Sequence, residues 1–433
     1  MQSDDRPDYP MAFVIEMDFE GQLRRKEFED AVAQVLERHP LLVSSIELGR
    51  RDLPVWVIQK DRQPFISYGK ETDPLDCPES DQFDNAQEAG IRIYVRQGEE
   101  KVRVSIYFDH KCTDGVGAHT VCGEIFAFYA NAVEGKEVAK LIDLKPILLK
   151  TRQQRQLFHG GISLMQRPNW YAWKYAFKVA GFGCQPLAAR RQKAGQQLRP
   201  RFGVLTDSLG VEEHRKLREA AIQHGVTVND IVLTELFLTM CDWNRRLKKL
   251  TGRKFKILMP SNLRQRGDDE MPCTNMTTYN FLSRKPKQCR NRFEMVKSVR
   301  DDTNEIKTKN TGADFLEAAA KGYAYSWVMP FIVSKRTTLS TAVISNVGDP
   351  TRRYTCRIPR KKGDLVCGNL ILEQIGGAPP LRPNTRSGWA ITTYRRKLTV
   401  SVRFDPFLYD QDDADEIMAI FLNGLRAWFA DRV

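Results

Sequence analysis

Histidine is scarce in this chain, with six in 433 residues: His39, His110, His119, His159, His214 and His224. Proton transfer near neutral pH falls most easily to imidazole, so the scarcity leaves a short list of general-base candidates. The nine cysteines include no CxxC pair, and their irregular spacing and odd number exclude a disulfide framework and a zinc site. No metal is expected. No run of 18 apolar residues occurs, so no membrane-spanning helix is expected. The opening MQSDDRPDYP lacks the basic segment and apolar stretch of a secretory signal. With unpaired thiols, this points to a reducing cytoplasm. No short-period repeat is present. The 42% hydrophobic and 28% charged residues describe a globular chain with matter for sizeable cores.

What the chain has in excess is positive charge, +13 net. The densest basic stretches are Arg190, Arg191, Lys193, Arg199, Arg201 and then Arg352, Arg353, Arg357, Arg360, Lys361, Lys362. Neither is interleaved with aromatics as single-strand-binding surfaces are. They read as a solvated linker and a solvated loop, and no nucleic-acid partner is expected. A basic surface also attracts anionic small molecules.

Along the chain, strands and amphipathic helices alternate. Met11 to Glu20 reads as a strand. Residues 24–38 place Phe28, Ala31, Val32, Val35 and Leu36 on one helical face, and Pro40 stops that helix. Strands are expected over 41–48 and 53–59. Ile91–Arg96 and Lys101–Asp109 read as a strand pair, with Val102, Val104, Ile106 and Phe108 on one face. Residues 152–180 read as an aromatic-rich helical stretch around Trp170, Tyr171, Trp173, Tyr175 and Phe177. Residues 181–200 are polar and Gly- and Arg-rich, which suggests an exposed linker between a first subdomain (1–180) and a second (201–433). The second half continues as a strand over 202–209, helices from Glu212 and near Thr227–Asn229, strands over 254–260, 338–345, 370–375, 388–394 and 398–404, and a final helix over 412–429. Mixed strands and helices in two halves define an α/β chain.

Five histidines read as structural, since they mark helix ends or polar stretches. His110 differs. It ends an apolar strand and opens the segment His110-Lys111-Cys112-Thr113-Asp114-Gly115-Val116-Gly117, which leads into a helix. A strand end feeding a tight turn is a rigid mount for a reactive side chain. Gly115 and Gly117 permit backbone angles closed to other residues.

His110, Asp114 and Gly115 match the HxxxDG core of the HHxxxDG motif, and the chain thereby resembles the CoA-dependent acyltransferase and condensation-domain superfamily. Other segments are similar to that family at corresponding places: EGQLRRKEFEDAVAQVLERHPLLVSSIE at the start, HGVTVNDIVLTELFL in the second half, MPSNLR at 259–264, and ISNVGDP at 344–350. The resemblance implies two chloramphenicol acetyltransferase-like mixed-sheet domains with an active-site tunnel at their interface. It implies an acyltransferase moving an acyl group from acyl-CoA or an acyl-carrier phosphopantetheine to a hydroxyl or amine. His110 would be the general base, Asp114 and Gly115 structural, and Ser345 and Asn346 candidate oxyanion or substrate contacts. Arg264 is a candidate partner for Asp114. The thioester is a co-substrate, so no permanently bound cofactor is expected, and a monomer suffices to build the site. Asp109 stands where the family's first motif His is found, and the plant-type DFGWG motif is absent. The Asp109 replacement motivates an alternative: a catalytically inactive domain that binds a carrier or partner.

Overall fold

The computed structural model describes residues 5–49, 54–75, 82–159, 162–163, 183–190, 203–265, 267–309, 312, 315 and 338–430. The aromatic stretch around Trp170 and the basic part of the expected linker, 191–200, lie outside them.

Two mixed sheets organise the described chain. The first has seven strands, in the order Arg360–Lys361, Asp364–Cys367, Leu370–Ala378, Ala12–Glu20, Lys101–Asp109, Ile91–Gln97 and Phe65–Lys70. Only its last pair, Phe65–Lys70 with Ile91–Gln97, is parallel. The alternation of Lys101–Asp109 puts Val102, Val104, Ile106 and Phe108 into one core. Helices α1 (Arg25–Arg38) and α2 (Gly115–Glu134) close that core. The face of α1 that is buried is the expected set of Phe28, Ala31, Val32, Val35 and Leu36. The opposite face is covered too: Ser105 and Tyr107 are buried, and Tyr107 joins a smaller cluster with Ala12, Val14 and Tyr94.

The second sheet has six strands, in the order Leu205–Leu209, Lys397–Phe404, Ser387–Tyr394, Ala342–Gly348, Phe255–Asn262 and Thr277–Arg284. Helices Val211–Gln223, Val228–Arg246 and Gln411–Arg426 supply its core with Leu217, Leu236, Phe237, Trp243, Ile417 and Phe421. Thr227 caps the Val228–Arg246 helix through a reciprocal bond with Asp230.

The structure departs from the sequence reading in four places. First, residues 360–378 do not stay with the second half. They cross to the first sheet, where Leu370–Ala378 pairs antiparallel with Ala12–Glu20. Leu370, Leu372 and Ile375 are thereby buried in the first core, and the edge of Ala12–Glu20 is satisfied. Gly377 permits the crossing: at φ +142, any Cβ would lie 2.1 Å from the Val14 carbonyl oxygen. Second, residues 183–190 of the expected exposed linker are packed. Leu187 and Ala188 sit in the second core, and Gln185 is buried with its amide bonded to the Lys249 carbonyl and Thr251. Third, residues 40–43 form a 3-10 turn before the strand Ser44–Leu48 begins. Fourth, the strand expected over 338–345 is displaced to Ala342–Gly348 and takes in the ISNVG segment, with its register shifting between Asn346 and Gly348.

Candidate active site

The strand Lys101–Asp109 delivers His110 to the meeting point of the two halves. The His110 amide continues the ladder by donating to the Met11 carbonyl, 2.8 Å. Its ring lies 4.9 Å from the Phe13 ring. Nδ1 is 3.0 Å from the Thr113 carbonyl oxygen, which can only accept, so Nδ1 carries the proton. This leaves Nε2 with its lone pair, and no described residue hydrogen-bonds it. Burial holds the imidazole below its usual 6.5, against the pull of the Asp114 carboxylate. The His110 imidazole is therefore uncharged at physiological pH.

Asn275, from the second half, donates from Nδ2 to the His110 carbonyl at 2.8 Å, and the same nitrogen is 3.2 Å from Nδ1. No sequence signal marked Asn275, because it lies 165 positions away. The Thr113 carbonyl was equally invisible, being a backbone atom.

Asp114 is the N-cap of α2 and accepts from the Gly117 amide, 2.9 Å. Its other oxygen accepts from the Arg264 guanidinium (2.8 Å), the Met276 amide (2.7 Å) and the Thr277 hydroxyl (3.0 Å). Burial alone would raise its pKa, but Arg264 and these donors hold the carboxyl below its ordinary range. Arg264 is thus the partner of Asp114, and the pair joins the halves. Neither Gly115 nor Gly117 takes a positive φ, so the expected need for unusual backbone angles is corrected. Gly117 is required by space: a Cβ there would lie 2.4 Å from the Thr113 hydroxyl oxygen and 3.2 Å from the Cys273 Cβ. A Cβ on Gly115 would meet nothing within 4 Å.

Asp109 is buried on the strand face opposite His110. It accepts from the Lys111 amide and the Asn85 carboxamide, and the Lys111 ammonium lies 3.4 Å away while also pairing with Asp5. Burial pushes its carboxyl up to about 6, opposed by Lys111. Asp109 therefore holds an ion network and does not touch the imidazole. Ser345 is half-buried on its strand. The Asn346 carboxamide is engaged, donating to Asn229 at 2.9 Å and accepting from the Gly348 amide at 3.1 Å.

Of the other histidines, His39 is fully buried. Its Nδ1 accepts from the Cys273 amide and its Nε2 faces Glu124 at 3.3 Å. A cavity of about 630 Å³ lies between the first turn of α2, the loop after Asn262 and residues 352–357; His110 is not among its lining residues. Among the described residues no cluster of His, Cys, Asp and Glu could hold a metal, and no helix is long and apolar enough to cross a membrane.

No family model matches the sequence. Solved structures do match the fold. The first condensation domain of the calcium-dependent antibiotic synthetase superposes with a TM-score of 0.69 at 12% identity, covering 97% of this chain and 91% of that one. The TRI3 trichothecene 15-O-acetyltransferase of Fusarium sporotrichioides gives 0.67 at 10% identity, over 97% and 91%. The condensation domain of the monacolin K polyketide synthase MokA gives 0.64 at 12%, over 97% and 92%. In sequence, 122 residues (28% of the chain) are 27% identical to the nonribosomal peptide synthetase dtxS1 of Metarhizium robertsii, and the match spans 2% of that protein's length. The chain thus has the α/β fold of these condensation domains and of this acetyltransferase.

Proposed function

We propose that this protein is an acyltransferase that moves an acyl group from a thioester to a hydroxyl or amine, with His110 as general base. The observation that carries the reading is the contact of His110 Nδ1 with the Thr113 carbonyl oxygen at 3.0 Å, which assigns the ring proton to Nδ1 and leaves Nε2 to accept one. In the proposed reaction Nε2 takes the proton of the acceptor O–H or N–H. The acceptor atom bonds to the thioester carbonyl carbon, and the tetrahedral intermediate collapses as the C–S bond breaks. The leaving sulfur takes the proton from the imidazolium, giving a free thiol and an ester or amide. General-base help of this kind is worth about 10² to 10⁴ in rate. Asp114 takes no part in proton transfer, since its oxygens are already occupied by Gly117, Arg264, Met276 and Thr277.

The donor is an acyl-CoA or an acyl group on carrier phosphopantetheine. Structural neighbours that are synthetase condensation domains support the carrier, and the O-acetyltransferase neighbour supports transfer of an acyl group to a hydroxyl. Ser345 is the remaining candidate from the ISNVG strand for contact with the oxyanion, given that the Asn346 carboxamide is already engaged. A second reading, an inactive carrier-binding domain, is favoured by one observation: the first motif position is a carboxylate spent on Lys111.

The test offers purified protein a panel of acyl-CoAs and acyl-carrier proteins with pooled alcohols and amines, and follows thiol release and product mass. Acylated product, absent with His110→Ala, is expected. A folded protein that turns over no donor of either kind would leave the binding-domain reading in its place.

A further inference from the structure

The basic side chains of 352–357 are solvent-exposed, as their composition suggested, and they also border a cavity. Arg352, Arg353 and Arg357 line the 630 Å³ cavity, together with Lys140 and Arg264 and with two carboxylates, Asp268 and Asp269. Two of these cations are committed: Arg264 to Asp114 at 2.8 Å, and Arg352 to Asp349 at 3.4 Å. Among the described residues, Lys140, Arg353 and Arg357 have no carboxylate within ion-pair distance. Lys140 and Arg357 are moreover direct cross-strand partners in the short antiparallel pair Lys140–Leu141 with Cys356–Arg357. Like charges placed opposite each other destabilise a strand pair, yet the fold brings them together at the mouth of a cavity. The field reaches inward as well. His119, on α2, is pushed down to about 4 by burial and by Arg353.

We propose that this cavity is a phosphate-recognition site, separate from His110, in which Lys140, Arg353 and Arg357 bind the phosphoryl oxygens of a small phosphate ester or pyrophosphate. Planar guanidinium groups donate paired hydrogen bonds to such oxygens, and a lysine adds a point charge. The cavity has the size of a small-molecule site. The +13 net charge of the chain draws anions toward it. The phosphate has two sources of the same chemistry: the pantetheine-linked pyrophosphate of a donor such as CoA, or a free phosphate compound.

The experiment is calorimetric titration of the full chain with inorganic pyrophosphate and, separately, with CoA at low ionic strength. The variants are Arg353→Gln/Arg357→Gln, the exposed control Arg215→Gln and His110→Ala. Both probes are expected to bind the wild type, more weakly as salt is raised, with affinity at least about tenfold lower in the double variant and unchanged in the control. His110→Ala is expected to bind as the wild type does, so a failure of the acyl-transfer assignment leaves this site standing. CoA binding more tightly than pyrophosphate assigns the phosphate to the donor, and the reverse order assigns it to a free compound; either order supports the site. Pyrophosphate that fails to bind the folded wild type at millimolar concentration, or that binds the double variant as well as the wild type, overturns it.

Discussion

At His110 three different constraints meet on one side chain. The strand ladder fixes its backbone, the Thr113 carbonyl fixes its proton, and burial lowers its pKa. A lowered pKa means the base form is fully present at neutral pH and is lost only as pH falls through a value below 6.5. The acid limb of kcat/KM is therefore expected to inflect below pH 6.5, as read from a pH–rate profile; an inflection above that value contradicts the assignment. Asn275 positions this loop through the His110 carbonyl. Asn275→Ala is expected to lower kcat by about tenfold, with a much smaller change in KM, because misplacement of a base by a fraction of an ångström is felt in the chemical step. The placement of His110 just after a strand and of Asp114 at the start of a helix was legible in the sequence because the segment is local. Asn275 was not, because the contact joins residues that only the fold brings together. Asp109 was legible only as a departure from the motif. The ion network that explains it, through Lys111 and Asp5, was not.

Elements were readable where one face is buried and one is wet. Helix α1 shows its periodicity cleanly, and the structure buries that face. The strand Leu370–Ala378 was readable as a strand but not as a member of the first sheet, since nothing in its own composition names its partner. Its pairing with Ala12–Glu20 depends on the close approach at Gly377. Gly377→Ala combines a disfavoured φ with backbone overlap at Val14, and is expected to cost about 1–3 kcal/mol or more, measured by urea unfolding. The packed stretch 183–190 escaped notice for the opposite reason: its neighbours are polar and basic, so a window average hid the burial of Leu187 and Ala188.

In the whole molecule the two halves are fastened by more than chain connectivity. The crossing strand Leu370–Ala378, the Asp114–Arg264 pair and the bond from the Cys273 amide to His39 all span them. Unfolding in urea is expected to be a single transition whether followed in the first core or the second, and two separated transitions would contradict the account. Arg264→Ala leaves Asp114 buried without its cation and is expected to cost about 3–5 kcal/mol in the same experiment.

In the proposed reaction Nε2 of His110 takes a proton from the acceptor as a thioester is opened. This step is tested most directly by comparing thiol release from the accepted donor by wild type and His110→Ala, at matched fold content by circular dichroism. With His110 as the base, His110→Ala loses about 10² to 10⁴ in kcat/KM. Turnover within tenfold of the wild type in a folded His110→Ala protein would contradict it.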